Sequence, residues 1–228
     1  MVLYSYQVSK TQATELGVTS IKENTMSYLT DSFVSDETKA LAESHGYIIT
    51  VEPTEGAMKP RSGGFCDTTS TLVTGSRSGL GDESIQQRGR CIEEEVALYA
   101  KDKGLDIKDM LWRTVYKYEH GNIALSLNPY NDRFDSGILG FIFESKSALR
   151  AEFGVKRISS KLEETIVKRL TSELKMLEFW ANNEVYDITI WDEDTIVAEA
   201  NHAYGSDDVG VLSAELLAEA IFYADADA

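Results

Sequence analysis

Six apolar residues, Ile158, Leu162, Ile166, Leu170, Leu174 and Leu177, recur at spacings of four, four, four, four and three. That spacing lays one apolar stripe along an α-helix and leaves the other faces polar. It predicts a helix from about Ser159 to Asn182 that must be buried on one side only. A one-sided helix needs a flat apolar layer to rest on, and the neighbouring segments read as strands. WRTVYKYE and NIALSLNP flank a turn at His120-Gly121, which predicts a hairpin. GILGFIFE reads as a third strand, its glycines pointing to a bulge or a close backbone approach. EVYDITIWDEDTIVAEA reads as a second hairpin turning at Asp192 to Thr195, and VLSAELLAEAIFYA as a last amphipathic helix. Hairpins with helices segregated from them imply an α+β fold, an antiparallel or mixed sheet covered by amphipathic helices.

The first half of the chain is less regular. VLYSYQV alternates like a strand, DETKALAESHG has a capping acid, an apolar stripe and a glycine stop, and YIITVEP reads as a strand ended by Pro53. From Thr54 to Glu83 the chain is rich in Gly, Ser and Thr, and only TLV within it has the character of a short strand, so a long decorated loop is expected. A helix from about Ser84 to Lys103, closed by Gly104, should follow. No repeat is visible, and the expectation is one domain over residues 1–228, with a looser half 1–105 and a hairpin-helix core 106–228.

Charge restricts the partners. With 22 Lys and Arg against 38 Asp and Glu, the net charge of −16 argues against direct binding of nucleic acid or an anionic membrane, whose attraction for proteins rests on cations. No run approaches the roughly 18 apolar residues of a membrane span, and the N-terminus lacks the layout of a leader, so a cytoplasmic location is expected. Cys66 and Cys91 are too few for a disulfide framework and form no C-x-x-C pair, so no zinc or other metal site and no cofactor is expected. The charge is also unevenly placed. Twelve acids and no Lys or Arg lie from Glu184 to Ala228, whereas eight cations face four acids between Lys146 and Lys175. These segments either neutralise each other or leave an acidic surface for a basic partner protein. The partner reading rests on Asp192, Glu193 and Asp194 at the hairpin turn, together with Asp207 and Asp208.

Motifs of chemistry are weak. GSRSGLGDES resembles a phosphate-cradling loop, yet Gly81 is followed by Asp82 where a P-loop carries lysine, leaving only Arg77 and backbone amides to hold an anion. His45, His120 and His202 read as cap or turn residues, and NDRFDSG reads as turn chemistry in which Asp side chains bond their own backbone. An alternative ligand or catalytic site would have to gather Arg61, Arg77, Asp82, His120, Asp135, Ser136 and Gly137 into one pocket.

Taken as a set, several of these stretches resemble an uncharacterised accessory protein family of tailed bacteriophages and prophages. The resemblance runs from about Lys59 to Gly205 through Pro60-Arg61, Gly81-Asp82, Tyr118-Glu119-His120, Asp135-Ser136-Gly137, Gly140-Phe141-Ile142, Glu173 and Val185-Tyr186. Where members of that family often carry a His-Arg pair, this chain has Gly75-Ser76. The resemblance implies a phage protein acting in the host cytoplasm and implies no known activity. Joined to the charge layout, it leads to the expectation of an acidic binder that inhibits or redirects a host protein, including a defence or nucleic-acid-processing protein, with carboxylates imitating phosphates.

Overall fold

The computed structural model describes residues 30, 32–61 and 69–226, so the expected strand VLYSYQV and Cys66 lie outside the described residues. The chain divides into two compact units, one comprising Met1–Ala57 with Asn183–Ala228, the other Met58–Asn182. The break expected near Leu105 therefore falls inside the second unit. The architecture is α+β, with five α-helices and eight strands in two sheets among the described residues.

The second unit is built on five strands: β2 (Thr71–Gly75), β3 (Glu83–Ile85), β4 (Met110–His120), β5 (Asn122–Ser126) and β6 (Ser136–Ser145). Their order is β3-β2-β6-β4-β5, antiparallel except for the parallel pair β2 and β3. Strand alternation sends neighbouring residues to opposite faces, so Leu72 and Ile142 face one layer while Val73 and Phe141 face the other. Between β2 and β4, the glycine Gly140 meets a close approach: a Cβ there would sit 2.0 Å from the Val73 carbonyl oxygen. The register of β4 against β6 slips immediately beside it, between Val115 and Tyr116, so both the bulge and the close approach expected from the glycines occur.

Before these strands come α1 (Asp36–Ser44) and β1 (Tyr47–Pro53) of the first unit, and between β3 and β4 lies α2 (Ile92–Lys103). The expected start of α2 at Ser84 is corrected by eight residues. Ser84 and Ile85 pair in β3, and the backbone amides of Arg88 and Gly89 donate to the Glu95 carboxylate, which turns the chain into the helix only at Ile92. Gly104 at φ +66 stops it. Val96, Tyr99 and Ala100 then pack on Val73, Phe141 and Met110. The long loop expected from Thr54 to Glu83 is likewise interrupted, since β2 is an interior strand with Leu72 and Val73 fully buried.

The opposite face is covered by α4 (Ser160–Ala181), which follows the short α3 (Lys146–Glu152). Ser159 caps α4 by accepting from the Leu162 amide at 3.2 Å. The stripe read in the sequence is the buried face: Ile166, Leu170, Leu174 and Leu177 are each no more than 1% exposed and rest on Leu72, Leu111, Val115 and Ile142. Each such side chain contributes about 1.5–3 kcal/mol by leaving water. The far end of α4 also closes the edge of the sheet. Asn182 accepts from the Ile123 amide at 2.8 Å and donates to its carbonyl at 2.9 Å, while the Glu178 carboxylate accepts from the Leu125 amide at 2.8 Å. Strand β5 thus has its outer groups satisfied. Strand β4 does not along its whole length, because β5 pairs with it only from Tyr116 onward and Met110 to Val115 pair with β6 alone.

The first unit contains a three-stranded antiparallel sheet, β1-β7-β8, with β7 (Val185–Asp192) and β8 (Thr195–Tyr204) forming the expected hairpin. One face is covered by α1 and by α5 (Gly205–Ala226), over a core of Val51, Ile188, Ile190, Ala203, Val209 and Leu217. Helix α5 starts six residues before the expected VLSAELLAEAIFYA, so Asp207 and Asp208 lie in its first turn, where carboxylates complement the helix dipole. His202 is neither cap nor turn. It sits at φ +66 where the β7 and β8 register slips, and its amide donates to Asp187 at 3.0 Å.

Candidate functional site

The residues of the expected ligand site separate into two places in the second unit. Arg61 and Asp82 belong to a buried charge network. The Arg61 side chain, 1% exposed, donates to Asp82 at 2.7 Å, to Glu173 of α4 at 2.6 Å and to the Ser70 carbonyl at 2.8 Å. Ser70 in turn donates its hydroxyl to Glu173, and Asp82 accepts from the Leu72 amide at 2.7 Å. Burial alone would lower the Arg61 pKa, but hydrogen bonds and charge from Asp82 and Glu173 hold it above its ordinary value. Every donor of this guanidinium that faces the protein has a partner, so it staples the strand entry at Ser70 to α4. It offers nothing to a ligand.

Arg77, Asp135, Ser136 and Gly137, by contrast, do converge. They line an open cleft of about 660 Å³ together with Lys117 and Glu119, which pair with each other. His120 stands beside it, its Nδ1 at 2.9 Å from the Asp135 carboxylate. The local chemistry is that of a turn. Asp132 accepts from the amides of Phe134 at 2.7 Å and Asp135 at 2.9 Å, first the Asp135 and then the Phe134 bond holding its carboxyl below the usual range. The Ser136 hydroxyl donates to the Asp132 carbonyl, which commits its proton away from the cleft. Arg61 and Asp82 are not among the residues that line this cleft.

Sequence reasoning passed over a second buried network. Glu144 of β6, 2% exposed, is met by Arg169 of α4 at 2.5 Å and by the Thr69 hydroxyl at 2.8 Å, and Arg169 reaches on to Glu152 at 2.6 Å. Burial opposes the Arg169 charge, yet Glu144 and Glu152 raise its pKa above the ordinary range. These residues lie far apart in sequence, and only the four-residue spacing of Arg169 and Glu173 on the helix hinted that both would face the sheet.

In the first unit the acids divide as well. Asp192, Glu193 and Asp194 are all exposed at the β7–β8 turn, and none forms an ion pair among the described residues. Glu193 holds φ +51, a left-handed conformation that costs a residue with a Cβ about 1–2 kcal/mol. Asp207 and Asp208 lie at the other end of β8, about 30 Å away at the usual rise per strand residue. Asp208 accepts from the Tyr204 amide at 3.0 Å, a helix-entry role of its own. The five acids therefore lie in two groups, one at each end of β8.

Next to the tip lies an apolar row. Ile48, Trp191 and Ile196 are aligned across the three strands on the face turned away from α1 and α5, with Ile48 57% and Ile196 40% exposed. Trp191 donates its indole N–H to the Thr50 hydroxyl at 2.9 Å. No group of three His, Cys, Asp or Glu side chains among the described residues is arranged to hold a metal, and no described helix is long and apolar enough to cross a membrane. Against known proteins, no family model, no curated protein and no solved structure matches this chain.

Proposed function

We propose that this protein is a non-enzymatic binder that engages a basic protein through the β7–β8 tip of its first unit. The observation that carries the reading is the exposed, unpaired trio Asp192, Glu193 and Asp194 beside the apolar row Ile48, Trp191 and Ile196. An aromatic anchor flanked by charge is the composition of an interface centre and its rim. The carboxylates steer a basic surface to the site, and the apolar row provides area to bury once it arrives. Glu193 supports this, because a residue held at a strained position against local stability is expected where a contact requires it. Three exposed carboxylates on one turn offer negative charge to a groove that holds phosphates, so a nucleic-acid-processing protein is the favoured partner class. The resemblance to a phage accessory family supports a partner in a host cell, where binding would inhibit or redirect it.

Affinity capture from a bacterial lysate tests the proposal at low and high salt. The native chain should retain a basic protein at low salt and release it at high salt. That protein should be lost from the variant Asp192→Asn/Glu193→Gln/Asp194→Asn and, separately, from Trp191→Ala. Capture of the same proteins by all three chains would overturn it.

A further inference from the structure

The second unit contains a cleft of opposite character to the protein's net charge. It measures about 750 Å³, lies along the unpaired half of β4, and is walled by α3, by the turn before α4 and by the start of α4. Five cations line it, Arg113, Lys146, Arg150, Lys156 and Arg157, against a single carboxylate, Glu163. Three of the five are held in place: Arg113 by Glu163 and the Trp112 carbonyl, Lys146 by the Lys108 carbonyl at 2.8 Å, and Arg150 by Asp109 at 3.1 Å. The same Asp109 carboxylate accepts from the hydroxyls of Ser147 at 2.7 Å and Ser145 at 2.8 Å, which fixes its position beside Arg150. Lys156 and Arg157, exposed in the turn that Gly154 makes at φ +63, have no ion-pair partner among the described residues. In a chain of net charge −16, cations left unpaired around one concavity mark a place where the missing anion is supplied from outside.

Two half-buried rings, Trp112 and Tyr116, line the same cleft from β4, with Leu127 and Ile158 adding apolar wall. Trp112 points with Phe143 to the α2 side of the sheet and Arg113 with Ile142 to the α4 side, so ring and cations flank the open edge of β4 from opposite faces, which matches a ligand that is phosphate at one end and a flat ring at the other. The volume is in the range of small-ligand sites. We infer that this cleft binds the phosphate and base of a nucleotide, either free or as part of a single strand. The reading is independent of the acidic tip, which belongs to the other unit. It also departs from the expectation that net charge excludes such ligands, because at physiological salt a charge is felt over only about 8 Å.

Titration calorimetry on the full chain tests this with three probes: ATP, inorganic tripolyphosphate and the oligonucleotide dT12. ATP should bind at least about tenfold more tightly than tripolyphosphate, since stacking of one base contributes about 1–3 kcal/mol. The variant Lys156→Glu/Arg157→Glu, which changes two exposed and unpaired side chains, should weaken ATP at least about tenfold and flatten the salt dependence. Tighter binding of dT12 than of ATP would identify a strand as the source of the nucleotide, and the reverse a free nucleotide; either supports the inference. It is overturned if no probe binds at millimolar concentration, if tripolyphosphate equals ATP, or if the double variant binds as well as the native chain.

Discussion

Removing the Arg61 guanidinium should be among the most damaging single changes in the second unit. The side chain is 1% exposed and connects Asp82, Glu173 and the Ser70 carbonyl. In Arg61→Ala, Glu173 at 8% exposure keeps only the Ser70 hydroxyl, and Asp82 at 22% keeps the Leu72 amide. An uncompensated buried carboxylate of this kind destabilises by about 3–5 kcal/mol. Arg61→Lys should recover part of that, since an ammonium restores the charge but cannot span three acceptors. Arg61→Met combined with Glu173→Leu should recover at least half, because the more buried carboxylate is then gone and the Asp82 that remains is 22% exposed and still bonded to the Leu72 amide. Urea denaturation followed by circular dichroism measures each value. A cost below about 1 kcal/mol for Arg61→Ala, or a double variant no better than the single one, would refute the reasoning that this arginine is a structural staple.

Gly140→Ala should cost at least about 2 kcal/mol in the same assay, because its new methyl would meet the Val73 carbonyl of a paired strand, which has no rotamer to yield. Glu193→Gly should leave stability unchanged or raise it by up to about 1 kcal/mol by relieving the positive φ, while weakening partner capture; a clear loss of stability would remove the strain argument. Tyr99, buried and facing Glu83, has its phenol pushed up to about 12, by burial first and then by the Glu83 charge and hydrogen bond. The folded state therefore holds the neutral phenol while the unfolded chain ionises near 10, so stability is intact below that pH and falls as pH rises toward 12. At pH 11 the native protein should have lost about 1 kcal/mol relative to Tyr99→Phe, measured as the difference in urea stability between pH 8 and 11; equal pH profiles would contradict it.

What could be read from sequence depended on whether the information was local. Helix α4 was legible to within a residue, because an unbroken stripe and a capping serine both lie inside it. The two hairpins were legible from alternation and turn residues. Strand β3 was hidden and β2 showed only as the short run TLV, because Gly and Ser around them carry turn chemistry, while Leu72 and Val73 become interior only through pairing with the distant β6. The start of α2 was misplaced because Glu95 reaches back to the Arg88 and Gly89 amides, a fold-back no periodicity reports. The same limit governs the sites. Asp192, Glu193 and Asp194 are consecutive and were visible at once. The cationic cleft was visible only as a reversal of charge between Lys146 and Lys175, since its aromatic wall comes from β4, more than 30 residues earlier.

The first unit combines segments that precede and follow the second in sequence, and the residues of the second run continuously from Met58 to Asn182. At the junction the Thr54 amide donates to the Val185 carbonyl at 2.8 Å, so the polypeptide departs from and comes back to neighbouring points of one sheet. On the ribosome the inserted body is complete before β7 has been synthesised, whereas β1 must wait, with its edge unfilled, for a partner about 130 residues downstream. A nascent chain stalled in that interval would display an unmatched apolar strand, and chaperone dependence of this protein should concentrate there.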